Sequence, residues 1–368
     1  MYVWSPLPRS LAATFRDAQS AKPRVRLSAI SDLVRWAAGD ERERCVDELV
    51  TLLGADPDLE VRAAAALALA DADAERSLAP LLAAATHGAP RVRQMALVAI
   101  GELAEPGQVA AVGALRAGLD SELPALRFQA LVAAHRLFED APLQPELDRA
   151  LADSEAKVRY VACRIVEERY FGVARGAPAR AAAPASEPEL EASRERWLGA
   201  LRERLGDADP AVALAAALPL ARSGSEPARA RVVAALNCVG NAEQLEDEQA
   251  AIELCADLGL TGARPGLMVR AWGGLFGGSS PLAFQARVAL ARLGDVRARG
   301  HILRGLSAWS RGARTRAVAA AGQARLEAAR PRLLEMRGDE RQADPESVSE
   351  ALRVLDLGEP VLLAKSCL

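Results

Sequence analysis

Between residues 54 and 106 the apolar and polar positions fall into blocks of fixed order. The phrase Asp56-Pro57-Asp58-Leu59-Glu60-Val61-Arg62 opens an Ala/Leu-rich run over 63–70, and an acidic break leads into a second apolar run over 76–85. The echo Ala89-Pro90-Arg91-Val92-Arg93 repeats the plan, with apolar runs over 94–103 and 109–119. The unit is turn, helix, turn, helix. Two helices this short cannot enclose their own apolar faces, so the pattern predicts pairs stacked on neighbouring pairs.

Used as a ruler, the phrase recurs at Pro23-Arg24-Val25-Arg26, Pro124-Ala125-Leu126-Arg127 and Ala156-Lys157-Val158-Arg159. Its arginines, Arg26, Arg62, Arg93, Arg127 and Arg159, lie 36, 31, 34 and 32 residues apart. The phrase then weakens. Pro210-Ala211-Val212 keeps the turn but has Ala213 in place of arginine, residues 246–253 fit only by phase, and Pro345-Glu346-Ser347-Val348 opens a last unit. Arg287 and Arg316 keep the arginine. About ten repeats result.

First helices are predicted near 25–38, 60–70, 91–103, 125–138 and 156–171, with second helices near 41–53, 74–86, 107–119, 143–152 and 190–205. Further helices are predicted near 211–222, 226–239, 243–258, 264–272, 281–293, 296–308, 312–325, 329–337 and 345–356. Residues 1–24 read as an N-terminal cap with one helical run over 11–18, because an uncovered solenoid end exposes a core face. Residues 25–206 read as regular repeats and 207–368 as degenerate ones. The Pro/Ala-rich stretch 172–188 has no apolar periodicity and is expected to be a mobile insertion between two helices, with a domain boundary there as the alternative. The Gly-rich stretch 273–280 presents Leu275 and Phe276, either tucked back as a long turn or offered to a partner.

The phrase, its period and the paired helices resemble HEAT repeats of the short, Ala-rich bacterial type also found in phycobilin-lyase-like proteins. The family pattern has an aspartate six residues before the arginine. Asp56/Arg62 and Asp153/Arg159 match it, whereas Ser20, His87 and Ser121 stand there in the other regular repeats. The resemblance implies an all-α superhelix in which Asp56, Arg62, Arg93, Arg127, Asp153 and Arg159 form a ladder between repeats. It also implies that second helices line a concave face. An aspartate at a helix start satisfies free N–H groups, and an arginine can fork onto carbonyls or carboxylates of the next unit.

Composition narrows the classes. Hydrophobic content of 51% with only 4% aromatic suits Ala/Leu/Val helix packing, and no apolar run is long enough to span a membrane. The start of the chain lacks a signal-peptide core, and the five cysteines have no short-spaced pair, so a reduced, cytoplasmic protein is expected. His87, His135 and His301 lie in no metal spacing, and the repeated His-Glu dyads of HEAT-type hydroxylases are absent from the sequence. No phosphate loop, no Gly-x-Ser-x-Gly turn and no Trp/Asp cluster of the HEAT-like DNA glycosylases can be placed. No cofactor, metal or catalytic residue is expected.

The net charge of −3 conceals an asymmetry. Residues 262–341 hold 15 arginines, no lysine and five acids, a local charge of +10. Three readings follow: a docking surface for an acidic protein or peptide, contact with nucleic-acid phosphates, or arginines paired internally with acids of adjacent repeats or a second copy. The first makes the protein a non-catalytic scaffold or adaptor. Its candidate contact residues are Arg270, Trp272, Phe276, Arg297, Arg299, Arg304 and Trp309, whose tryptophans would stack bases under the second reading. A lyase- or chaperone-like helper subunit is the remaining alternative.

Overall fold

The computed structural model describes residues 9–72, 74–138, 140–171, 187–238, 245–273 and 282–357. Among them are twenty α-helices, two 3-10 turns and no strand. The chain forms two compact units, residues 1–200 and 201–368, with the division falling inside one helix.

In the first unit α1 (Leu11–Ala18) lies against α2 (Pro23–Ala37), and Arg9 ties them by donating to Asp17 at 2.8 Å and Asp32 at 2.7 Å. Helix pairs follow: α2 with α3 (Arg42–Ala55), α4 (Leu59–Ala72) with α5 (Ala74–His87), and α6 (Pro90–Leu103) with α7 (Val109–Leu119). Then come α8 (Pro124–Leu137) with α9 (Asp140–Leu151), and α10 (Ala156–Phe171) with α11 (Glu187–Arg204). First helices α2, α4, α6, α8 and α10 touch in succession to form one layer, and α3, α5 and α7 form the other.

The second unit repeats the plan with α12 (Pro210–Arg222) and α13 (Glu226–Asn237), α14 (Leu245–Asp257) and α15 (Arg264–Trp272). The pairs α16 (Ala283–Arg292) with α17 (Val296–Gly305), and α18 (Arg311–Gln323) with α19 (Arg330–Met336), precede α20 (Pro345–Asp356). Here α12, α14, α16, α18 and α20 form the first-helix layer.

The recurring phrase is legible as helix-start chemistry. Pro23, Pro90, Pro124, Pro210 and Pro345 each stand at the first helical position, where a missing N–H costs nothing. Asp209, Asp295, Ser310 and Asp344 accept N–H groups of the first turn that follows them.

Small residues set the layer spacing. A Cβ added to Gly101 of α6 would sit 2.7 Å from Ala133 Cβ of α8, and one on Gly322 of α18 would sit 2.8 Å from Ala351 Cα of α20. The first-helix backbones therefore approach more closely than any side chain at those two points allows. Around them the core is buried Ala, Leu and Val, with Trp197 of α11 fully buried beside Tyr170 at a centroid distance of 5.5 Å.

The stretch 172–186 and residues 274–281, with Phe276, lie outside the described residues, as do Tyr2 and Trp4. Residues 187 and 188 begin α11, and Gly273 caps α15.

Candidate functional site

Ladder arginines of the first unit occupy the fourth position of their helices, and each takes one of two courses. Arg26 forks onto Asp56 of the next pair, Nε to Oδ2 at 2.6 Å and Nη2 to Oδ1 at 2.7 Å. Arg127 forks onto Asp153 in the same way, both contacts 2.7 Å. Arg62 and Arg93 instead donate Nε back to Leu53 O at 2.9 Å and Ala85 O at 3.1 Å. The residue six before the next ladder arginine accounts for the difference. It is an aspartate after Arg26 and Arg127, but His87 after Arg62 and Ser121 after Arg93.

The aspartates are bridges more than helix caps. Asp56 Oδ1 also accepts the Asp58 N–H at 2.8 Å, and Asp58 itself caps α4 through Glu60 and Val61. Asp153 Oδ1 accepts the Glu155 N–H at 2.8 Å, and Arg159 Nη1 donates to Asp153 O at 2.8 Å. Burial pushes the Asp56 carboxyl up. The Arg26 fork, the Asp58 N–H and the charges of Arg26 and Arg62 outweigh it, and the group rests below the ordinary aspartate range. Asp153 is held low by the same balance, with Arg127 and Arg159 supplying the charges.

In the second unit the ladder place near the last repeats belongs to Arg314, not to Arg316 of the sequence ruler. Arg314 Nη1 donates to Ala308 O and Trp309 O at 2.7 and 2.8 Å, and its Nε and Nη2 reach Gln342 O and Arg341 O at 2.6 and 2.8 Å. Arg316 is exposed. Counting four residues in from the Ser310 cap would have found it, because Arg26, Arg127 and Arg159 also reach back to the carbonyl six residues earlier.

Much of the basic segment is tied to acids and carbonyls of the fold. Arg270 pairs with Glu248 and donates to Leu236 O and Gly266 O, and its side chain is only 9% exposed. Arg264 donates to Leu293 O, Arg299 to Ala291 O at 2.9 Å, and Arg292 pairs with Asp257. Arg330 bridges Glu327 and Asp356, and Arg332 pairs with Glu335.

Arg311, Arg316, Arg337 and Arg341 are exposed, and a separate group gathers around Trp272. Its half-buried indole has the Arg297 guanidinium over the ring at 4.2 Å and that of Arg287 at 4.7 Å, with His301 meeting it edge-on at a centroid distance of 5.1 Å. Arg287 of α16 is fixed by Nε and Nη2 bonds to Ala271 O at 3.1 and 2.9 Å. Arg297, His301 and Arg304 fall four and three residues apart on α17, hence on one exposed stripe. Burial, then the charges of Arg287, Arg304 and Arg297, hold the His301 imidazole below its usual value, so it is neutral at neutral pH. Burial and the charge of Arg297 lower Arg287 as well. Among the described residues no carboxylate pairs with Arg287, Arg297 or Arg304, and the buried Trp272 Nε1 has no acceptor.

Of the seven sequence candidates, Trp272, Arg297 and Arg304 meet in this cluster. Arg270 is held inside the repeats, Arg299 is exposed with its Nε tied to Ala291 O, and Trp309 projects 98% exposed from the loop between α17 and α18. Arg287 and His301 were not candidates. The four-and-three spacing after Arg297 signalled His301, but nothing in the sequence placed Arg287 against Trp272.

His135 of α8 sits in a different setting. Its Nδ1 accepts from Arg169 at 3.1 Å and its Nε2 lies 3.3 Å from Glu168, so both ring nitrogens are engaged across α8 and α10. The sequence showed no His-Glu dyad, and this one exists only in space. Among the described residues no group of three His, Cys, Asp or Glu is arranged to hold a metal, and no helix is long and apolar enough to cross a membrane.

Residues 12–100 match a family model described as HEAT repeats. A search of curated proteins found no match. Among solved structures, an engineered protein is 17% identical over 94% of this chain and 98% of its own, with a TM-score of 0.42. The Escherichia coli protein YibA is 13% identical over 95% of this chain and 93% of its own, with a TM-score of 0.40. A designed armadillo repeat protein in complex with the peptide (KR)4 is 19% identical over 58% of this chain and all 100% of its own, with a TM-score of 0.39. By sequence, residues 12–100 match HEAT repeats, and the helix pairs that follow keep the same all-α paired plan.

Proposed function

We propose that this protein is a non-catalytic scaffold or adaptor whose second unit binds an acidic segment of a partner protein. The carrying observation is the Trp272 cluster: Arg287, Arg297 and Arg304 stand together on α16 and α17 with no carboxylate among the described residues to neutralise them. Elsewhere in the same unit Arg229, Arg270, Arg292, Arg299, Arg314 and Arg330 meet acids or backbone carbonyls. Three cations left without a counter-charge repel one another, and the fold keeps them where an anionic ligand would relieve that repulsion.

Trp272 holds two guanidiniums in place before any partner arrives, which lowers the ordering cost of binding. Trp309, fully exposed on the loop after α17, supplies a second aromatic contact in this reading. Nucleic acid fits less well, because a backbone track needs a row of unengaged arginines, and Arg264, Arg270, Arg292, Arg299 and Arg314 are tied to acids or carbonyls of the fold.

The test is fluorescence anisotropy with two labelled peptide pools of equal length, one rich in Glu and Asp and one rich in Lys. The acidic pool should bind, weaken with added salt and lose binding in Arg297→Glu/Arg304→Glu. Equal affinity for both pools, or acidic binding retained by the double variant, would remove the basis of the proposal.

A further inference from the structure

The Trp272 cluster has more positive charge than one carboxylate can balance. We propose that its preferred ligand is a phosphorylated side chain of the partner, a phosphomonoester dianion seated among Arg287, Arg297, Arg304 and His301; this rests on the acidic-partner reading above.

Three features of the geometry point to a compact dianion. The first is charge: two guanidiniums stack on one indole, the charge of a third is felt at the adjoining imidazole, and no acid among the described residues pairs with any of the three. A carboxylate would cancel one charge of three, whereas a phosphomonoester carries about −1.5 to −2 at pH 7. The second is hydrogen-bond type. Guanidinium groups only donate. Phosphate answers such a set with three acceptor oxygens, to which an arginine fork binds in bidentate fashion.

The third is pre-ordering. Arg287 is pinned through Nε and Nη2 to Ala271 O, so its guanidinium is ordered before a ligand arrives. Arg297 of α17 is stacked on the same indole at 4.2 Å, and Arg304 follows two turns later. His301 stands between them on that stripe and feels all three cations, so a dianion placed among them would reverse the field at its ring.

The experiment compares three degenerate peptide pools that differ only in a central phosphoserine, glutamate or serine, by anisotropy on the full chain. A parallel readout follows the His301 ring resonances, assigned with His301→Gln in a chain of three histidines. The phosphoserine pool should bind about tenfold more tightly than the glutamate pool and shift the His301 resonances. Arg297→Ala/Arg304→Ala should abolish both effects while its circular dichroism melt stays that of the parent. Equal binding of phosphoserine and glutamate pools would overturn the phosphate assignment and leave the acidic-partner reading standing. Failure of both pools would overturn both. Phosphoserine binding that leaves His301 unmoved or survives the double variant would put the anion elsewhere, and a single-stranded oligonucleotide binding more tightly than the phosphoserine pool would replace the protein partner with nucleic acid.

Discussion

In residues 1–200 a ladder arginine forks onto the next repeat where an aspartate waits, as Arg26 does on Asp56, and otherwise folds back on a carbonyl, as Arg62 does on Leu53. In residues 201–368 the arginines Arg229, Arg299 and Arg314 each donate to backbone carbonyls, and acids pair either across helices, as Glu248 does with Arg270, or within one, as Glu226 does with Arg229. The same side chain thus has two fates. Paired and buried, it fixes repeat spacing. Stacked on Trp272 and left without an acid, it is available to something outside the chain. Arginine density along the sequence does not separate these fates; the position of each arginine within its helix and the residue facing it do.

The largest expected effect breaks the first fate. Asp56→Ala leaves the Arg26 guanidinium, 8% exposed, without its counter-ion, and should cost about 3 to 5 kcal/mol in urea unfolding followed by circular dichroism. Asp153→Ala should cost less, because the Arg127–Asp153 pair is more exposed at 16% and 10%. Next comes the layer spacing. Gly101→Ala drives a methyl to 2.7 Å from Ala133 and should cost about 1 to 3 kcal/mol by the same measurement.

A smaller, pH-dependent effect sharpens the comparison. Asp56 and Asp153 titrate below the ordinary aspartate value of 3.8 when folded, so in the acid range the unfolded chain binds more protons. Their contribution is therefore present above that ordinary value and is lost as the pH falls through the lowered folded values. The urea midpoint should drop as the pH goes from about 5 to about 3, and Asp56→Asn/Asp153→Asn should flatten that drop. If the double variant keeps the full drop, acids outside the ladder govern acid unfolding. The smallest stability effect belongs to the cluster: Arg297→Ala/Arg304→Ala should stay within about 0.5 kcal/mol of the parent, since both side chains are exposed.

Helix placement was legible because the phrase carries its own start signals: proline at the first helical position, arginine at the fourth, and alanine-rich faces repeating at the helical period. The bidentate forks were foreseeable from Asp56 and Asp153 alone. Three things were not. Arg314 was passed over for Arg316 because the ruler matched letters instead of distance from the Ser310 cap. Arg270 and Arg299 counted as surface charge, although their acceptors, Glu248 and the Leu236 and Ala291 carbonyls, come from neighbouring helices that composition does not assign. The pairing of Trp272 with Arg287 crosses from α15 to α16 and depends on how those helices pack, which local pattern does not encode.

The most direct test of the contrast between the two fates measures stability and binding on one variant. Arg297→Glu/Arg304→Glu is prepared in the full chain, its urea unfolding midpoint is determined, and its anisotropy with the Glu/Asp-rich pool is compared with that of the parent. The account predicts an unchanged midpoint with binding lost. A lowered midpoint with binding intact would contradict it, and would return these arginines to the ladder's structural role.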